Sequence, residues 1–553
     1  MLTFLHRYAN PVGASAFAGD GDDALKHSVT FSSEAGNIFR LRLISSTLIL
    51  AWTSFACSHT AEESPPIAAR DAPREASRAW ASCVALLDTK GEDKWDKIAA
   101  EPDCAFPDGA LQAVLAQVAA TEAQTARARM WLSLAVEHGW GNLRAITEAP
   151  IWTNTLTDVE VDQVRQKIAA RSQAQNYAPD CANGGANSQI CGVIERARAS
   201  GTSSLRISRN GAAVVAIDFD GSDRAVELMS ATKTFAALAI GILLQDGRIG
   251  SIDEPISSYY TDRPDWQAPP KNRITLRHIL SQTSGLQAPA DDRELTQEHD
   301  ALDWALNAPV IHEPGTVYFY NNRAMAIIAG LVERASGKPI DELIRSELFL
   351  PLGINHYLWN RDPSGRPYVF YGLEMASASL SSVGNLLLDG GAHRGRQLLQ
   401  RDFVEHLGVA SSPMATYGLL TWVHYSATTR KIPAGLLEDA RIEADLGPET
   451  TIALQPYVGQ PMSLPKFRET LIATVGDERR KALYRAVASA GRTLVDEGDG
   501  IPIGYSASGT WGNYLVICPR TGIVASRTVE RSYTRPHDEL FYSDFPREVC
   551  SLD

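Results

Sequence analysis

The stretch from Thr232 to Leu244 is apolar on nearly every side, and Ser230-Ala231-Thr232-Lys233 stands at its head. A helix with no polar face must be buried all round, so the fold has to build layers about it. Positions i and i+3 share a helical face, which puts the Lys233 amine within reach of the Ser230 hydroxyl. A serine on the first turn also meets backbone N–H groups and the positive end of the helix dipole, which favour developing negative charge. Beside an apolar helix the charged form of an amine is disfavoured by desolvation. Ser230 is therefore a candidate nucleophile and Lys233 its candidate base. Taken alone S-x-x-K is a weak signal, because an N-capping serine before an ordinary lysine reads the same way.

A second box, Tyr320-Asn321-Asn322, follows about ninety residues on, after Glu313-Pro314-Gly315 and before the apolar stretch Met325–Val332. A phenol beside a neighbouring ammonium loses its proton more readily, so Tyr320 next to Lys233 could exchange a proton with Ser230 and with a leaving group. Asn322 offers an amide to orient the lysine or a substrate carbonyl. The competing reading is a tyrosine anchoring a helix start with asparagine as its cap.

Around the boxes the pattern alternates between strand and helix. Ser204–Ile207 and Ala213–Asp218 read as strands, with Asn210-Gly211 between them as a hairpin turn. Tyr514–Cys518 and Gly522–Thr528 read as a second pair joined at Pro519–Thr521, and helices at 324–335, 340–348 and 381–388 lie between. Strands at both ends with helices between them imply one sheet whose early and late strands lie together. Residues 76–175 carry helical periodicity almost without strand alternation, which predicts a small all-α domain. The segment from 425 to about 500 is charged and partly helical, from Leu464 to Leu494.

The start of the chain reads as an export signal. Arg40 and Arg42 precede an apolar stretch from Leu43 to Ala56 that ends at Cys57. That stretch has the length of a secretory signal and is too short to span a bilayer. Ser54-Phe55-Ala56-Cys57 resembles a lipoprotein cleavage box, with Ser54 where leucine is usual, so Cys57 is a candidate site of lipid attachment to a membrane. Thr60 to Arg74, rich in Ala, Glu and Pro, reads as a tether. Setting Cys57 aside leaves Cys83, Cys104, Cys181, Cys191, Cys518 and Cys550. This is an even set that suits disulfides in an oxidising compartment, and sequence neighbours are the natural first pairing among fifteen. No C-x-x-C spacing is present, so no metal is expected. The formal net charge of −13, without a basic run, argues against a nucleic-acid partner.

With both boxes in order, the chain resembles the class C β-lactamase-like superfamily, which includes DD-peptidases, family VIII esterases and 6-aminohexanoate-dimer hydrolases. Asp246–Ile256, Ile274–Gly285, Glu313–Tyr320 and Ala329–Gly337 resemble further family segments. The likeness covers roughly 190–425 and 500–535. It implies an α/β (α+β) fold, an antiparallel sheet flanked by helices with a helical lobe. The expected organisation is a leader over 1–57, a tether over 58–75, a small all-α domain over 76–178, and a catalytic domain over 179–553 with its insertion at about 425–500. The third box departs from the K-T-G or H-x-G of many relatives. Arg520-Thr521-Gly522 falls in the turn between two terminal strands, and the position before Tyr514 reads Ser506-Ala507-Ser508-Gly509. Ser508 and Gly509 are thus the candidate oxyanion segment, a backbone N–H near Ser508 joining that of Ser230. The resemblance implies acyl transfer from a small-molecule amide or ester through Ser230, without metal or organic cofactor. The missing cationic residue weighs against carboxylate-bearing β-lactams. A D-Ala peptidase or a non-catalytic envelope lipoprotein are the alternatives, in a periplasmic or membrane-anchored setting.

Overall fold

The computed structural model describes residues 72–552, apart from 90, 92, 172–174, 182–187, 290–293, 412 and 491. The leader and Cys57 lie outside the described residues.

The described chain begins with a helical unit, chiefly α1 (Ala72–Leu87), α2 (Gly109–Thr121), α3 (Thr125–Glu137) and α4 (Asp158–Ala169), with shorter helices in the connections before α2 and after α3. Local chemistry sets its helix starts. Asp108 caps α2 by accepting from the backbone N–H of Ala110 and Leu111, and Thr157 with Glu160 forms a reciprocal capping box on α4. The unit has its own core, including Trp80, Trp95, Leu111, Leu132 and Trp152, and the Cys83–Cys104 disulfide runs through it.

The body is an antiparallel sheet of eight strands: β1 (Asn176–Tyr177), β2 (Ser204–Arg209), β3 (Ala212–Asp218), β4 (Trp422–Lys431), β5 (Met462–Ser463), β6 (Val495–Gly509), β7 (Asn513–Cys518) and β8 (Ile523–Thr528). Their order is β1-β3-β2-β8-β7-β6-β4-β5, so the early hairpin does lie against the last strand. Asn210 and Gly211 both take positive φ, 48° and 79°, which is the turn that β2 and β3 require. Alternation along β7 feeds two layers. Tyr514, Val516 and Cys518 pack on α5 (Ser188–Ala199) and the C-terminal helix at Phe545–Cys550, whereas Leu515 and Ile517 join the main core with α6 (Thr232–Gln245). That core also takes in α7 (Asn322–Ser336) and α8 (Ser377–Leu388). Every residue from Thr232 to Leu244 is buried, as an all-round apolar helix demands.

The charged segment behaves differently from its composition. β4 and β6 run on past the body as a ribbon, with Lys431 opposite Val495, and Arg430 pairs with Asp496 across it at 2.5 Å. Between the ribbon ends, helices at Leu464–Val475 and Asp477–Ser489 enclose a separate core around Phe467, Leu471 and Leu483.

Polar contacts seat the helical unit on the body. Arg361, in a buried pair with Asp341 at 2.5 Å, donates to Ser77 Oγ at 2.8 Å. Arg144 donates to the Glu530 carbonyl at 2.8 Å, and Glu148 accepts from Ser532 Oγ and the Tyr533 N–H. A Cβ at Gly365 would lie 2.1 Å from the Ser77 carbonyl oxygen, so this seam closes only over a glycine. The remaining two disulfides join Cys181 to Cys191 and Cys518 to Cys550, so all three link sequence neighbours.

Candidate active site

Ser230 sits two residues before the α-helix rather than on it. Met229–Ala231 form a 3-10 turn, Met229 takes φ 53°, and α6 begins at Thr232. The tight turn holds Ser230 half-exposed while both neighbours are buried. Two backbone ties fix it: the Leu228 N–H donates to the Leu373 carbonyl at 2.8 Å, and the Leu373 N–H donates to Thr232 Oγ1 at 3.3 Å.

Lys233 is 1% exposed, and its Nζ donates to Ser230 Oγ at 3.0 Å and to the Phe370 carbonyl at 2.9 Å. Its Nζ lies 4.7 Å from the centroid of the Tyr320 ring. Tyr320 in turn stacks on Trp422 at 6.3 Å and meets Tyr417 edge-on. Ser230, Lys233 and Tyr320 therefore come together from a turn, a helix and the approach to a second helix. Asn321, not Asn322, caps α7: its side chain accepts from the Ala324 N–H at 3.1 Å and donates to the Leu286 carbonyl at 2.8 Å. Asn322 occupies the first helical position beyond the cap.

The third segment reaches the same place along β6. Ser506 lies opposite Trp422, and side chains of opposed and alternate residues share a face. Ser506 and Ser508 thus stand on the face whose Trp422 stacks on Tyr320, with their hydroxyls 2.8 Å apart. Gly509 presses against the Ser230 turn, where an added Cβ would lie 2.0 Å from the Leu228 carbonyl oxygen. Arg520–Gly522 does fall in the β7–β8 turn. His278 completes a capping box with Thr275.

Some participants escaped sequence reasoning. His424 Nε2 lies 2.8 Å from Ser506 Oγ, and burial, with the nearby Arg547 charge, holds its pKa down at about 4. The ring is therefore neutral near pH 7 and ends a His424–Ser506–Ser508 hydrogen-bond chain. No motif marks His424, and only the register of β4 against β6 reveals it. The Phe370 carbonyl and the rings of Tyr417 and Trp422 likewise carry no local signal.

Among curated relatives, a Bacillus subtilis penicillin-binding protein is 31% identical over 140 residues, 23% of this chain and 29% of that protein. A β-lactamase of Escherichia coli is 29% identical over 163 residues, 29% of this chain and 41% of its own. The chain thus spans well under half the length of either. A penicillin-binding protein homologue of Caulobacter crescentus, a solved structure, aligns over 68% of this chain and 99% of its own at 14% identity and a TM-score of 0.42. The Beta-lactamase family model matches residues 204–545, from the first strand of the early hairpin to the C-terminal helix, and since that is well over half of the sequence, the chain belongs to the Beta-lactamase family.

Proposed function

We propose that the protein is a serine hydrolase that cleaves an amide or ester through a Ser230 acyl-enzyme. The observation that carries this reading is the Lys233 Nζ, 1% exposed and 3.0 Å from Ser230 Oγ. Lys233, with Tyr320 beside it, takes the Ser230 proton as Oγ attacks the carbonyl carbon. The tetrahedral oxyanion is held by backbone N–H groups at Ser230 and near Ser508, and Asn322 orients the lysine or the carbonyl. Collapse breaks the bond to the leaving group, which takes a proton from Tyr320. Water then attacks the acyl carbon, giving its proton to Tyr320 or Lys233, and the acid leaves as Ser230 recovers its own. No step requires a metal or organic cofactor.

Ala507-Ser508-Gly509 stands where many relatives carry a cation. This favours an ester or amide without a carboxylate beside the scissile bond, over a β-lactam or a D-Ala peptide. Three disulfides fit an oxidising compartment, and export to the cell envelope, with Cys57 as a lipid anchor, belongs to the same proposal.

Intact mass spectrometry after fluorophosphonate treatment tests the reading. One adduct on the native protein, absent from Ser230→Ala, is expected. No adduct on folded protein would leave a binding protein of the same fold.

A further inference from the structure

A cavity of about 190 Å³ lies between the helical unit and the body, with Met229 of the Ser230 turn in its wall. Its wall includes Trp140 and Trp152 from the helical unit and Tyr371 and Tyr533 from the body. Glu227 and Glu374, opposite each other in adjacent antiparallel strands, supply its acidic side. The space exceeds the roughly 150 Å³ that accepts a benzene-sized guest in an engineered cavity.

The charges around it do not balance. Glu530, on the same wall, is spoken for by Arg224 and by the Arg144 N–H. Arg531 acts on Glu227, which also accepts the Gly372 N–H, yet Glu227 Oε1 is buried without a hydrogen bond. Glu374 is 8% exposed, and among the described residues none donates a hydrogen bond or ion pair to its carboxyl. The charged groups that act on it are Glu227, Glu530 and Asp108, while Arg361, paired with Asp341, and Arg531 also line the cavity. Burial and these like charges push Glu374 up to about 8 and burial pushes Glu227 up to about 7, so a cation entering beside them draws both towards their ionised forms.

We propose that this cavity binds an alkylammonium group, its charge taken by Glu374 and Glu227 and its methyl or methylene groups by the aromatic walls. Aromatic faces and carboxylates together are the recognition chemistry of organic cations. Among the described residues no group of three or more His, Cys, Asp or Glu side chains is arranged to hold a metal ion. The site does not depend on the hydrolase reading. It does adjoin the nucleophile turn, because Met229 lines the cavity and Leu228 is tied to Leu373, the neighbour of Glu374.

The test is calorimetric titration of the purified protein with choline and with its neutral isostere 3,3-dimethylbutan-1-ol, at pH 7.5. Saturable choline binding is expected, with no comparable binding of the alcohol. Glu374→Gln, which keeps the side chain's shape, should weaken choline roughly tenfold to a hundredfold, as loss of a charged partner does. Glu227→Gln is the second variant, should the first fail to fold. Ser230→Ala should bind choline as the native protein does. Equal binding of the alcohol, no choline binding, full affinity in the folded glutamine variants, or loss of binding in Ser230→Ala would each overturn the proposal.

Discussion

Lys233 meets Tyr320 over the face of its ring, 4.7 Å from the centroid, while its donors point to Ser230 Oγ and the Phe370 carbonyl. The ring and the hydroxyl of Tyr320 are therefore separable. Tyr320→Phe retains the face that Lys233 Nζ rests on and the stack on Trp422, and removes only the hydroxyl. We expect normal folding by circular dichroism and a turnover rate reduced roughly 10²–10⁴-fold on any ester substrate found. Lys233→Met should lose fluorophosphonate labelling itself.

Gly509→Ala should act on both structure and activity. A methyl there would lie 2.0 Å from a backbone oxygen, which cannot swing aside as a side-chain tip can. Strand β6 or the turn carrying Ser230 must move, so a loss of about 1–3 kcal/mol is expected with activity falling further than stability. Ser508→Ala, on the same strand, should cost far less in melting temperature. Thermal melts and labelling rates of the two variants decide it.

Glu374 gives stability a pH dependence of known sign. Its carboxyl ionises near its ordinary value of 4.5 in the unfolded chain but holds its proton to about 8 when folded, because of burial and the neighbouring carboxylates Glu227, Glu530 and Asp108. Between those values the folded state binds more protons. Its contribution is complete below pH 4.5 and is lost as pH rises towards 8, at about 1.4 kcal/mol per pH unit. Glu227 adds a similar slope that ends near 7. Melting temperatures of the native protein should therefore still fall between pH 7 and 8, and those of Glu374→Gln should be flatter there.

Arg361→Met leaves Asp341 buried, with 2% of its side chain exposed, and without its cation. It also removes the donor to Ser77 at the seam. Breaking one side of such a pair costs about 3–5 kcal/mol. Calorimetry should show a lower transition, with proteolysis of the helical unit preceding that of the body.

What was legible in the sequence was local. Asn210-Gly211 specifies its own turn, α6 announces burial by lacking a polar face, and Ser230 and Lys233 are near enough in sequence for helical spacing to join them. Tyr320 is marked only by the order of motifs in the family, since nothing local says which helix start will meet Lys233. The pairing of Glu227 with Glu374 and of His424 with Ser506 depends on strand register across long separations, which composition does not encode. The segment after Tyr425 is helical where its pattern predicts, over Leu464–Val475 and Asp477–Ser489, but its flanking strands carry no such signal. Its charges, such as Arg430 and Asp496, sit opposite each other on a ribbon and satisfy one another, so a polar sequence still makes strand.

That ribbon has a consequence for how the protein can change over generations. Lys431 and Val495 are cross-strand neighbours, so the polypeptide between them departs from and returns to a single spot. A short reverse turn could bridge the spot while leaving β4 and β6 paired where they cross the sheet. Residues 432–494 are thus a cassette: exchangeable for another length or another surface, within one register of the strands that carry Trp422 and Ser506, without redrawing the site they frame.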